Sequence, residues 1–132
     1  MTASSLDRSS FADDLLAAEF SDLGLVTIAV VGSAAMPRLA VTGEVDSTTA
    51  PHLQDRIERL LDAGARDLTI DLTAVTFLDS AGLCALATMH RRAADDDVRL
   101  RLLAATRAVI RPMQITGLWR LLGGEQVEGL AS

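Results

Sequence analysis

Apolar positions alternate with polar ones in the first half of the chain and then switch to helical spacing. Leu25-Val26-Thr27-Ile28-Ala29-Val30-Val31 is short and β-branched and reads as a strand. Gly32 to Pro37 breaks it, and Arg38-Leu39-Ala40-Val41-Thr42 follows as a second strand, so the two form an antiparallel hairpin. Leu53, Ile57, Leu60 and Leu61 then repeat at helical spacing, an apolar stripe to lay on a sheet. Thr48 or Thr49 can cap this helix, Pro51 fits its first turn, and Gly64 can end it. Leu68, Ile70 and Leu72 alternate again, and Val75-Thr76-Phe77-Leu78 leads to a turn. A second helix runs from Ala81 through Leu83, Leu86 and Ala87 to His90. Val98 to Leu103 is a further strand, and a third helix spans about Thr106 to Thr116 and stops at Gly117. Pro112 inside that helix costs about 3 kcal/mol, which predicts a kink or a late start.

The order β-β-α-β-α-β-α predicts a single α/β domain. Its mixed sheet has about four to five strands, begins with the hairpin, and carries right-handed crossover helices mainly on one face. Residues 1–20 read as an extension. Phe11, Leu15, Leu16 and Phe20 could form one face of a short helix there, and a polar tail is the alternative. The domain proper is expected over 21–125, with 126–132 a short C-terminal tail.

Composition narrows the chemistry. The net charge of −6 argues against a nucleic-acid partner. No apolar run reaches the roughly 18–20 residues of a membrane span, and the start lacks the pattern of a signal peptide. A cytoplasmic protein without direct membrane insertion is expected. Cys84 is alone, so no intrachain disulfide can form. All twelve basic residues are Arg. The absence of Lys removes the phosphate-loop lysine, Schiff-base chemistry and Ser–Lys hydrolysis. His52 and His90 lack metal-ligand spacing and read as helix-surface residues, so no metal or cofactor is expected.

Asp79-Ser80-Ala81-Gly82-Leu83 carries the candidate chemistry, at the junction of a strand and a helix. The serine elbow of acyl-transfer enzymes needs Gly at position 78, which is Leu. A phospho-acceptor Asp79 would need an acidic pair after the first strand and a lysine, and both are missing. No catalytic residue is therefore assigned. Ser80 can cap the helix through its side-chain oxygen, or accept a phosphate where a helix N-terminus welcomes one. Gly82 in the first turn costs up to about 1 kcal/mol against Ala. That cost is read as leaving the Ser80 hydroxyl unscreened and open to a partner.

Three segments carry a family resemblance. Gly43-Glu44-Val45-Asp46 with Thr49-Ala50-Pro51 and the leucine-rich helix resembles the first signature of STAS domains, the anti-sigma-factor antagonist family. Phe77 to Leu83 resembles the second signature, and Thr116-Gly117-Leu118 the third, over roughly residues 23–122. The resemblance implies a partner-switching protein with no catalysis of its own. Unmodified, such a protein binds an anti-sigma factor that is also a serine kinase. Phosphorylated, it lets go, and a serine phosphatase resets it. Carried over, the phosphorylation site is Ser80, and the partner-binding surface comprises Asp46, Ser47, Thr48, Thr49, Asp79, Ser80, Ala81, Gly82 and Leu83. Many family members carry a second serine where this chain has Ala81. The runner-up is a STAS interaction subunit that is never phosphorylated, for example one docked on a membrane transporter complex.

Overall fold

Leu68, Ile70 and Leu72 are fully buried while Thr69 between them is half-buried, so one face of the central strand carries the core. The same alternation runs through Val26, Ile28 and Val30 and through Leu39 and Val41. The computed structural model describes residues 19–22 and 26–127. Its elements are β1 (Glu19–Asp22), β2 (Val26–Gly32), β3 (Pro37–Val45), α1 (Ala50–Asp62), β4 (Asp67–Leu78), α2 (Ser80–Asp95), β5 (Arg99–Ala104), α3 (Arg107–Thr116), α4 (Leu118–Leu121) and β6 (Gly124–Gln126).

Among the described residues one sheet has six strands, ordered β1-β2-β3-β4-β5-β6. The first three are antiparallel neighbours, and β3 through β6 are parallel. This is the expected mixed α/β sheet opening on an antiparallel hairpin, with six strands in place of the four to five expected, because the short edge strands β1 and β6 add to it. Three successive crossovers step the same way along it, so right-handed connections put their helices on one face. The core lies between that face and the stripes of Leu53, Ile57 and Leu61 on α1 and Leu86 and Met89 on α2.

Several boundaries differ from expectation. The boundary drawn at residue 20 falls inside β1, so Glu19 and Phe20 belong to the sheet edge. Phe11, Leu15 and Leu16, the rest of the proposed helical face, lie outside the described residues. The boundary drawn at residue 125 falls inside edge strand β6 (Gly124–Gln126) on β5, so Gln126, expected in the C-terminal tail, belongs to the sheet. Strand β3 continues to Val45, with register shifts against β4 between Ala40 and Thr42 and between Gly43 and Glu44. The two apolar runs 68–72 and 75–78 are one strand of 12 residues.

Helix α3 starts at Arg107 and runs through Pro112, so the late start does not occur. The missing N–H frees the carbonyl of Ala108, an exposed residue at which water can replace it. Gly117 ends α3 in the left-handed conformation, with φ of 83°, and the chain turns directly into α4.

The other sheet face is more polar, and an ion pair joins β3 to β4 across it. Arg38 donates to the Asp71 carboxylate, which also accepts from the Thr73 hydroxyl (2.7 Å) and amide (2.9 Å). Burial pushes the Asp71 carboxyl up, but the Thr73 bonds and the Arg38 guanidinium together hold it below its ordinary value.

Candidate functional site

The first half of the site is the loop after β3. The Asp46 carboxylate accepts the amides of Thr48 (2.9 Å) and Thr49 (3.1 Å), folding the chain back on itself. Thr49 stands where the cap of α1 was expected, yet neither its hydroxyl nor that of Thr48 caps the helix. The Thr49 hydroxyl instead accepts the Asp46 amide (2.9 Å) and donates to the Glu44 carbonyl (3.1 Å). With 2 % exposure Thr49 is an internal brace of the loop. Ser47 and Thr48 are left exposed, and Asp46 is half-buried.

The second half follows β4. Val45 and Leu78 are register partners, and the Asp79 amide donates to the Val45 carbonyl (3.1 Å). Both loops therefore leave the sheet at the same end, side by side. Asp79, with extended backbone, caps α2: its carboxylate accepts the amides of Ala81 (2.9 Å) and Gly82 (3.2 Å). The expectation that Ser80 is the cap is thus corrected by one position. Ser80 is the first helical residue, it is exposed, and its hydroxyl has no hydrogen-bond partner among the described residues. Asp or Ser can each serve as a cap, and the extended backbone at Asp79 decides between them.

Gly82 is also reassigned. It is buried, and a Cβ there would lie 2.5 Å from Leu78 Cδ1 and 2.9 Å from Val45 Cγ1. The absent side chain lets the first turn of α2 sit on the ends of β3 and β4, rather than opening the serine to a partner. Of the nine residues assigned to the contact surface, Ser47, Thr48 and Ser80 are exposed; Asp46, Asp79, Ala81 and Leu83 are half-buried; Thr49 and Gly82 are interior.

A cleft of about 470 Å³ begins at this loop pair and runs between α1 and α2. Its walls add Gln54, Asp55 and Glu58 from α1, which were not expected at the contact surface, and Cys84 and Thr88 from α2, the helix of which an unspecified part was expected there. The signal was present as a second helical stripe, at 51, 54, 55 and 58 and again at 81, 84, 85 and 88. Cys84 is exposed one turn after Ser80. His52 is exposed on α1 and His90 half-buried on α2. Among the described residues no three His, Cys, Asp or Glu side chains form a group that could hold a metal, and no helix is long and apolar enough to cross a membrane.

Fold and site together define a small α/β module with a paired-loop surface at the carboxyl ends of parallel strands. The family described as "Mlab, STAS domain" matches residues 28–123, and the chain belongs to the STAS-domain family, of the anti-sigma factor antagonist type. An anti-sigma-B factor antagonist of Listeria monocytogenes is 32 % identical over 89 residues, covering 67 % of this chain and 78 % of that protein. The crystal structure of an anti-sigma factor antagonist from Mycobacterium paratuberculosis superposes with a TM-score of 0.72 at 30 % identity, covering 81 % of this chain and 91 % of that one. SpoIIAA in its unphosphorylated form shares the fold, with a TM-score of 0.64 at 16 % identity, covering 84 % of this chain and 88 % of that one.

Proposed function

We propose that this protein is a phosphorylation-controlled antagonist of an anti-sigma factor, with Ser80 as the acceptor. Unmodified, it binds an anti-sigma factor that is also a serine kinase. Phosphorylated, it releases that partner, and a serine phosphatase restores it. The observation that carries this reading is the exposed Ser80 hydroxyl at the first position of α2, without a partner among the described residues and beside the loop of the exposed Ser47 and Thr48.

The local hydrogen bonds explain why charge at Ser80 would act on the partner and leave the fold intact. A helix N-terminus offers a phosphate its free amides. Here Ala81 and Gly82 already donate to the Asp79 carboxylate, and Leu83 donates to the Asp79 carbonyl (3.0 Å). Of the first four amides, that leaves the one on Ser80 itself. A phosphate of charge about −1.5 to −2 therefore stays at the surface beside a carboxylate. It adds repulsion where a partner would sit and gains little from the helix. Asp79 has two roles in this reading: it caps α2, and it prevents the helix from absorbing the phosphate.

The test is phosphorylation of the purified chain by candidate serine-kinase anti-sigma factors with ATP, followed by site mapping and binding measurements. Phosphate is expected on Ser80, with loss of binding. Ser80→Ala is expected to bind the kinase constitutively, Ser80→Asp to bind weakly, and both to stay within about 0.5 kcal/mol of wild-type stability. Phosphate at another residue, or equal binding by all forms, would sink the proposal.

A further inference from the structure

Val75 and Leu78 both enter the core, at 0 % and 4 % exposure. Side chains of a strand alternate between faces, so the alternation of β4 is broken between these two residues. The register against β3 shows where. Gly43 pairs with Val75 but Glu44 pairs with Phe77, which leaves Thr76 as an extra residue. Bulges of this kind are rare between parallel strands, and one of their uses is to re-aim a side chain. The Thr76 hydroxyl donates to the Gly43 carbonyl (3.3 Å), and Gly43 has a φ of 110°, a conformation that suits glycine. Unbroken alternation from Val75 would place Phe77 in the core. With the extra residue Leu78 takes that place, and Phe77 stands on the opposite face of the sheet at 46 % exposure.

Among the described residues Phe77 is the one exposed aromatic side chain. The exposed Val31 and Met36 lie at the turn of the β2–β3 hairpin, the other end of the sheet, and Ile115 and Leu121 lie on α3 and α4. Phe77 precedes Ser80 by three residues, so their Cα atoms are at most about 11 Å apart. An ordinary protein interface covers about 800 Å² on each partner, a disc of about 16 Å radius, so a footprint centred on Ser80 reaches Phe77. Its register partner Glu44 is exposed and leads within two residues to the loop of Ser47 and Thr48. Aromatic side chains are enriched among the residues that carry binding energy. We infer that the partner's footprint crosses the end of the sheet onto its second face, where the anti-sigma factor seats the Phe77 ring in an apolar pocket. Phe77 is then an uncharged anchor for the partner proposed above for the Ser80 surface, and it rests on that reading.

The test measures binding of the full chain to the serine-kinase anti-sigma factor that recognises it in the experiment above. Phe77→Ala and Phe77→Thr, the second a strand former without the ring, are expected to weaken binding at least about tenfold. The same factor should appear in a Ser80→Ala background, where phosphate plays no part. Phe77→Leu should recover most of the loss, and Ile115→Ala, on the more exposed apolar side chain of α3, should bind as wild type. Melting temperatures show that each variant is folded, and Phe77→Thr gives the reading if Phe77→Ala is not. Binding by either ring-free variant as tight as wild type, or an equal loss in Ile115→Ala, would overturn the inference and leave Ser80 as the switch. So would a dimer of the free chain that Phe77→Thr dissociates, because the ring would then face a second copy. Binding by no such anti-sigma factor would refute the reading of Ser80 itself, and the anchor with it.

Discussion

Replacing Gly82 by Ala separates two accounts of the most informative turn in the chain. The new methyl carbon would sit 2.5 Å from Leu78 Cδ1, 2.9 Å from Val45 Cγ1 and 3.3 Å from Leu78 Cγ. Carbon atoms prefer about 3.5–4.0 Å, so Leu78 must retreat by about 1 Å or α2 must lift. Neither neighbour can swing into solvent, because Val45 is 0 % and Leu78 4 % exposed. Overpacking of this kind costs about 1–3 kcal/mol, and helix propensity returns up to about 1 kcal/mol. The net expectation is a loss of about 1–2 kcal/mol, or roughly 3–10 °C in Tm for a domain of this size. Urea denaturation at constant m-value measures it. In a Leu78→Ala background the obstructing methyl is gone, so the penalty of Gly82→Ala should shrink by at least about 0.5 kcal/mol. If Gly82→Ala were as stable as wild type but lost partner binding, close packing would not be the reason for glycine, and the partner-access account would stand in its place.

Three further substitutions test the loop geometry and the sheet. Asp79→Ala removes the cap from two amides and should cost about 1 kcal/mol by chemical denaturation. Thr49→Val keeps shape but strands the Asp46 amide and the Glu44 carbonyl, so a loss of about 1–3 kcal/mol is expected, with faster amide exchange at 46–50. Asp71→Asn should destabilise by about 1–3 kcal/mol at neutral pH, since Arg38 and Thr73 hydrogen-bond the charged form. The folded pKa of Asp71 is lowered, so its contribution is full above the unfolded value near 3.8 and is lost as pH falls through the folded value. The gap between Asp71→Asn and wild type should therefore be constant from pH 5 to 7 and close below about pH 4, as read from urea midpoints.

The sequence exposed the elements that bury a regular stripe. Leu68, Ile70 and Leu72 alternate, and Leu53, Ile57 and Leu61 repeat at helical spacing, so the order of strands and helices from β2 to α3 could be read directly. The edges could not. Glu-Phe-Ser-Asp and Gly-Glu-Gln have no apolar alternation, and they are strands because the neighbouring strand supplies hydrogen bonds. At the site, sequence located both loops but misassigned their inner parts. Ser and Asp are comparable caps and adjacent in sequence, so only the backbone angles at Asp79 choose between them. The roles of Thr49 and Gly82 depend on Glu44, Val45 and Leu78, which the fold brings within reach. A hydroxyl turned inward and a hydrogen where a methyl would collide leave no pattern in one chain read alone.

The strands lie side by side in the order in which they occur along the chain. Each new strand is added at the growing edge, and none has to be inserted between two already joined. A ribosome delivers the chain in that same order, so the sheet can grow outward from its N-terminal hairpin during synthesis. The loops at the ends of β3 and β4 would then be in place before the last helices have left the exit tunnel.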